Sequence, residues 1–146
     1  MLSDTNKTVI RRFFEEVWNK GNLAVLNELI AKDHVNSGPG TLPGLPTGPE
    51  GAKQLVTVYR NAFPDIHFKI DELIAEGDKV VTRWTAQGTH KGELVGIPAT
   101  GKSSTVTGIN VDRIVNGKIV ESWGIFDQFG MMQNLGVIPM PESVSN

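Results

Sequence analysis

The apolar positions change period once along the chain, and that change divides it. From Lys7 to Trp18 the apolar residues Val9, Ile10, Phe13, Phe14, Val17 and Trp18 recur on one helical face. Asp4 or Thr5 is placed to cap its start, and Gly21 to stop it in a left-handed conformation. Asn22 then caps a shorter helix carrying Leu23, Leu26, Leu29 and Ile30. His34-Val35-Asn36 is too short to assign, and Ser37–Gly48, with three prolines and four glycines, must be a loop. Pro49 opens a third helix over Glu50–Phe63, with Leu55, Val56, Tyr59, Ala62 and Phe63 on one side and Pro64 as its end.

Beyond Pro64 the pattern alternates. Ile66, Phe68 and Ile70 begin a strand, and Leu73 and Ile74 fall out of phase, which predicts a bulge at Asp71-Glu72. Glu76-Gly77 turns into a second strand, Lys79–Thr89, rich in Val and Thr around Trp84. Lys91–Ser104 is a long polar connection whose Leu94, Val95 and Ile97 suit a lid, and Thr105–Val115 is a third strand. Asn116-Gly117 is a strong hairpin signal, because both central positions of a type I′ turn need positive φ. With Val115 opposite Lys118, regular pairing places Asn110 opposite Trp123, Gly108 opposite Ile125 and Val106 opposite Asp127. One face of this hairpin then carries Val106, Gly108, Asn110, Asp112, Glu121, Trp123, Ile125 and Asp127. The opposite face offers Ile109, Val111, Val120 and Phe126 around Gly124, a surface suited to a homodimer. Gly108 would open space beside Asp127, suggesting a cavity.

Composition narrows the function classes. A chain of 146 residues supports one domain with a real core, here Thr5–Pro139 with Met140–Asn146 as a loose tail. The net charge of −2 argues against nucleic acid as a partner. No apolar run is long enough to span a membrane, and the start of the chain lacks a signal-peptide core. The absence of cysteine excludes disulfides and thiol chemistry and fits a cytoplasmic protein. His67, His90 and scattered acids give no metal-ligand spacing, and the glycine-rich loop lacks a phosphate-loop ending.

Helices followed by curved strands, with the phrases RRFFEEVWNKGN, GPEGAKQLV, AFPD, AEGDKVVTRWTAQGTHKGELVGIPATGK and GKIVESWGIFDQFGMMQNLG, resemble the SnoaL-like polyketide (ester) cyclases of the nuclear transport factor 2-like superfamily. The resemblance implies an α+β, cone-shaped fold in which three N-terminal helices pack on a strongly curved antiparallel sheet around an apolar pocket. It also implies chemistry without a cofactor on a small apolar or polyketide-like molecule: an intramolecular aldol ring closure with an aspartate as acid/base. Asp127 is the position here that best matches that aspartate.

Such a reaction takes a proton from carbon and returns it to oxygen, which one carboxylate in an apolar setting can do in turn. Trp123, Ile125 and Phe129 are placed to desolvate Asp127, and the alternative is that Asp127 only caps the following short segment. His34 and Asn36 are candidates to hold an enolate or carbonyl oxygen, or His34 is an ordinary loop histidine. Phe14, Trp18, Tyr59, Trp84, Asn110 and Met132 are candidate pocket lining. Arg83 either enters the pocket or pairs with an acid across the sheet. A non-catalytic module holding an apolar ligand is the competing reading.

Overall fold

The structure, a computed structural model, describes residues 2–139. The tail expected at Met140–Asn146 lies outside the described residues. Helix α1 spans Leu2–Arg12 and widens into a π-helical stretch over Phe13–Asn19, so it starts earlier than the capping signal suggested. Gly21 ends it at φ 74°, and the Arg60 guanidinium takes the Trp18 carbonyl that this end leaves free. The short second helix is a 3₁₀ turn, Leu23–Val25, followed by α2, Leu26–Leu29. Helix α3 is Pro49–Ala62, opened by its proline at the first turn.

Ile30–Ser37 is strand β1, longer than the unassigned triplet suggested. It is followed by β2 (His67–Glu76), β3 (Lys79–Thr89), β4 (Ser103–Val115) and β5 (Lys118–Phe126), and then by helix α4, Gln128–Asn134. The strand order is β1-β5-β4-β3-β2, and β1 runs parallel to β5, so an otherwise antiparallel sheet is mixed at one edge. With its helices the chain has the expected α+β arrangement. The predicted bulge on β2 is present, with the register shifting between Ile70 and Glu72. Asn116 and Gly117 both take positive φ.

The β4–β5 register departs from the regular one. Val115 faces Lys118 and Ile114 faces Ile119, but Arg113 faces Glu121, so Val120 is an extra residue in β5. From there on every β5 side chain is turned over relative to regular pairing. Asn110 faces Gly124, Asp112 faces Ser122 and Gly108 faces Phe126. The inward face therefore holds Asp112, Ser122, Gly124 and Phe126, and the outward face holds Trp123 and Ile125, which are 42% and 40% exposed.

Aromatic rings build the wall between helices and sheet. Phe14, Trp18, Phe68, Trp84, Tyr59 and Phe126 form a chain of ring contacts, 4.7 Å between Trp18 and Phe68 and 6.1 Å between Trp84 and Phe126. Asn19 fastens this wall to the edge strand: its amide donates to the Phe68 carbonyl at 2.9 Å and accepts from the Phe68 amide at 2.7 Å. The room left by Gly108 is filled: a Cβ there would stand 2.3 Å from the Trp84 ring. Gly108→Ala should therefore push the indole out of place and destabilise the fold by about 1–3 kcal/mol in urea unfolding; a variant as stable as the parent would contradict this packing.

Candidate functional site

A cavity of about 110 Å³ lies between the helices and the concave face of the sheet. Its walls are largely apolar: Phe14, Trp18, Leu55, Tyr59, Phe63 and Phe68 on one side, Trp84, Val106, Phe126 and Met131 on the other. Phe14 and Trp18 belong to the π-helical stretch, whose wider turns set both rings against Phe68. One end of the cavity is polar, where Asn36 of β1, Asn110 of β4 and Ser122 of β5 converge.

The chemistry of that end follows from which atoms are already engaged. The Trp84 indole N–H donates to Asn110 Oδ1 at 3.1 Å, which fixes the Asn110 amide so that its NH₂ is the group left to serve the cavity. Among the described residues Asn36 Nδ2, which is buried, finds no hydrogen-bond partner. The end is thus supplied with donors. It is closed by Gly38–Gly40, which passes so close to Gly124 that a Cβ at either glycine would be 3.0 Å or less from the Gly124 backbone. Gly40 N donates to the Gly124 carbonyl at 2.8 Å.

Behind the polar end is a second layer. Ser122 Oγ donates to Asp112 Oδ1 at 2.5 Å and stands 2.8 Å from His34 Nε2. Asp112 and His34 are 2% and 1% exposed, and among the described residues Asp112 Oδ2 and His34 Nδ1 have no partner. Burial pushes the Asp112 carboxyl up to about 7, opposed by the Ser122 hydrogen bond. Burial holds the His34 imidazole down to about 4, against the pull of Asp33. Burial also raises the Tyr59 phenol.

The candidates from the sequence separate into three groups. Phe14, Trp18, Tyr59, Trp84, Asn36 and Asn110 line the cavity, and Trp123 and Ile125 reach it although the bulge turns them outward. His34 stands one residue behind it, through Ser122. Asp127, Arg83, Phe129 and Met132 are outside its lining. Asp127 is exposed at the start of α4, where its Oδ1 accepts from Gly130 N at 2.9 Å. The apolar surroundings expected for it are missing, because Phe129 is 61% exposed and Trp123 and Ile125 face outward. Arg83 lies on the convex face, 3.2 Å from Glu72 and 3.8 Å from Asp71. Met132 packs on the core, and it is Met131, one residue earlier, that reaches the cavity. The Lys91–Ser104 connection is tied down where a lid was expected: Lys91 N and Gly92 N donate to the Ala62 carbonyl, and Leu94 is buried.

Asp112 and Ser122 escape a reading of the sequence because regular hairpin pairing sets them on opposite faces. A buried acid among β-branched residues in the middle of a strand was the available signal.

Comparison with known proteins agrees with this architecture. A profile of the SnoaL-like polyketide cyclase family matches residues 8–135. The aklanonic acid methyl ester cyclase DnrD of Streptomyces peucetius is 34% identical over 142 residues, covering 94% of this chain and 96% of its own. The nogalonic acid methyl ester cyclase of Streptomyces nogalater is 33% identical over 122 residues, covering 82% and 89%. The solved structure of TsrD from Streptomyces laurentii superposes with a TM-score of 0.83 at 26% identity, over 92% of this chain and 97% of that one.

The two buried titrating groups bend the stability curve in opposite directions. Between 3.8 and about 7 the unfolded chain has lost the Asp112 proton that the folded chain keeps, so this contribution to stability falls as pH rises. Between about 4 and 6.5 the unfolded chain binds a His34 proton that the folded chain refuses, so that contribution rises with pH. Asp112→Asn removes the first slope alone. Its stability should climb with pH across the His34 window by at most ~1.4 kcal/mol per unit, where the parent is nearly flat. Urea unfolding at stepped pH checks this, and parallel curves for parent and variant would contradict it.

Proposed function

Because this chain belongs to the SnoaL-like polyketide cyclase family, a family of enzymes, we propose that it closes a ring in a small polyketide-type ester by an intramolecular aldol step, without a cofactor. The observation that carries this reading is an aromatic-walled cavity ending in amide donors with nothing to bind. An aldol closure needs an apolar wall to fold the substrate on itself and donors where negative charge develops on oxygen. Asn36 and Asn110 occupy that position. The carbon beside the ester loses a proton, the enolate attacks a ketone of the same molecule, and the resulting alkoxide takes a proton back. The product is an isomer of the substrate. Asp127, expected from the sequence as acid/base, is left in its role as helix cap, supported by its exposure and its bond to Gly130 N.

The methyl esters named for the two Streptomyces relatives are the first substrates to try. Aklanonic and nogalonic acid methyl esters, followed by chromatography with mass detection, should give products of unchanged mass and altered retention. Asn36→Ala should lower turnover by about 10²–10³-fold. Asp127→Asn should leave turnover unchanged and stability within a few tenths of a kcal/mol, because asparagine caps as well as aspartate. A ligand held but never converted would favour a binding module, and loss of turnover in Asp127→Asn would return the acid/base role to that residue.

The convex face bears on assembly. It presents Ile109 opposite Ile125 and Val111 opposite Trp123, an apolar stripe across β4 and β5 suited to a second copy of the chain. Phe126 and Gly124, expected there, face the cavity instead. Light scattering should report a dimer, and Ile109→Glu a monomer with the same fold; a monomeric parent would rule out this interface.

A further inference from the structure

The buried trio behind the cavity is arranged as a hydrogen-bonded line, His34 Nε2 to Ser122 Oγ to Asp112 Oδ1, and only its middle member touches the cavity. We propose that Ser122 exchanges a proton between the cavity and Asp112, so that its hydroxyl meets a bound molecule as an acceptor when Asp112 is ionised and as a donor when Asp112 is protonated. This deepens the cyclase reading and rests on it for the reaction, though not for the switch itself.

A hydroxyl has one hydrogen and two lone pairs, and all three can be assigned here. An ionised Asp112 only accepts, so at 2.5 Å the Ser122 hydrogen points at Oδ1. His34 Nε2, 2.8 Å away, must then be the protonated nitrogen of a neutral ring and donate to Oγ. That leaves His34 Nδ1 as a bare lone pair, in keeping with its lack of a partner, and leaves the second Ser122 lone pair for the cavity. Once Asp112 is protonated, its own O–H and the His34 N–H occupy both lone pairs. The Ser122 hydrogen is then free to turn to the cavity.

The surroundings allow Asp112 to change charge alone. From β3 the inward neighbours are Val80 and Thr82, neither ionisable, and the buried residues of α1 and α2 (Asn6, Val9, Ile10, Leu26, Leu29) are equally uncharged. His34 comes from β1 and Ser122 from β5, and Asp33 is the charge that acts on His34. Among the described residues no lysine or arginine forms an ion pair with Asp112. Its proton affinity, raised by burial to about 7, lies where a proton is both taken and returned.

In the aldol step the proton leaving carbon arrives on Ser122 Oγ as the Ser122 proton passes to Asp112 Oδ1. The electron pair left behind moves onto the ester oxygen, held by the Asn36 and Asn110 amides. The enolate carbon then bonds to the ketone carbon. The new alkoxide takes the hydrogen of Ser122, and Asp112 returns its own to Oγ. Every proton taken is given back. Ser122 is the catalytic residue, and Asp112 and His34 are positioning residues that act through it.

Two apolar probes of similar shape test the switch without a known substrate: 2-acetonaphthone, which only accepts, and 2-naphthol, which donates. Tryptophan quenching on either side of neutral pH should show the ketone binding better at low pH and the naphthol better at high pH. Their affinity ratio should change about tenfold through one midpoint, as gaining or losing one hydrogen bond predicts. Ser122→Ala and Asp112→Asn should both flatten the ratio. A flat ratio in the parent, or a midpoint that survives Asp112→Asn, overturns the proposal. If neither probe binds, carboxyl ¹³C NMR decides: the Asp112 signal, identified by its loss in Asp112→Asn, should titrate near neutral and shift its midpoint in Ser122→Ala. A signal fixed in one state overturns the proposal. Ester turnover with a flat ratio would leave the cyclase standing without this relay, and a clear midpoint without turnover would do the reverse.

Discussion

One extra residue in β5 decides what the cavity contains. Val120 has no partner of its own in β4, and from Glu121 onward β5 is turned over by it. A bulge of this kind adds local twist as well as a shift of register. The turned-over face sets Ser122 against Asp112 and Gly124 against Asn110, and carries Phe126 to Trp84 and Tyr59. Without the bulge Trp123 and Ile125 would fill the space, and the polar line from His34 to Asp112 would be cut at Ser122.

The aromatic wall and the polar end are held by shared atoms. Trp84 belongs to both: its ring packs at a tilt between Phe68 and Phe126, and its N–H fixes the Asn110 amide. Gly108 gives the indole its place, and Gly124 gives Asn110 its own, since a Cβ there would come within 2.9 Å of Asn110 Oδ1. Two glycines in adjacent strands thus set the orientation of one amide. Precision at this end comes from strands, which are stiffer supports than loops.

Periodicity read the architecture well and the site less well, for one reason. Helix α3, β3 and the Asn116-Gly117 turn depend on local signals, Pro49, alternation and a need for positive φ, and these are visible in a few residues. The β2 bulge was legible because Leu73 and Ile74 fall out of phase. The β5 bulge left no such mark, as Ile119-Val120 is ordinary in either register and Ser122 and Gly124 are too small to betray a buried face. Phe14, Trp18, Tyr59 and Trp84 were found because large rings must be buried somewhere. Asp127 drew attention for its apolar neighbours in sequence, and it stands exposed at the start of α4. The parallel pairing of β1 is a long-range contact across most of the chain, beyond any local pattern.

The distribution of unsatisfied polar atoms bears on the use proposed for the cavity. A buried donor or acceptor without a partner costs about 1–3 kcal/mol, so folds dispose of such atoms where they can. This chain shows the habit elsewhere: Asn19 is doubly bonded to Phe68, and Thr89 to Asp65. Yet among the described residues seven buried side-chain atoms go without. Asn6 Nδ2 and His90 Nε2 are outside the cavity lining, but the other five, Asn36 Nδ2, His34 Nδ1, Thr41 Oγ1, Thr82 Oγ1 and Asp112 Oδ2, lie on or next to the residues of one cavity end. Stability alone would favour apolar side chains at these positions. A polar molecule seated against Asn36, Asn110 and Ser122 would engage the donors that folding leaves idle, which is the arrangement a site needs if its hydrogen bonds are to strengthen as charge develops on the substrate.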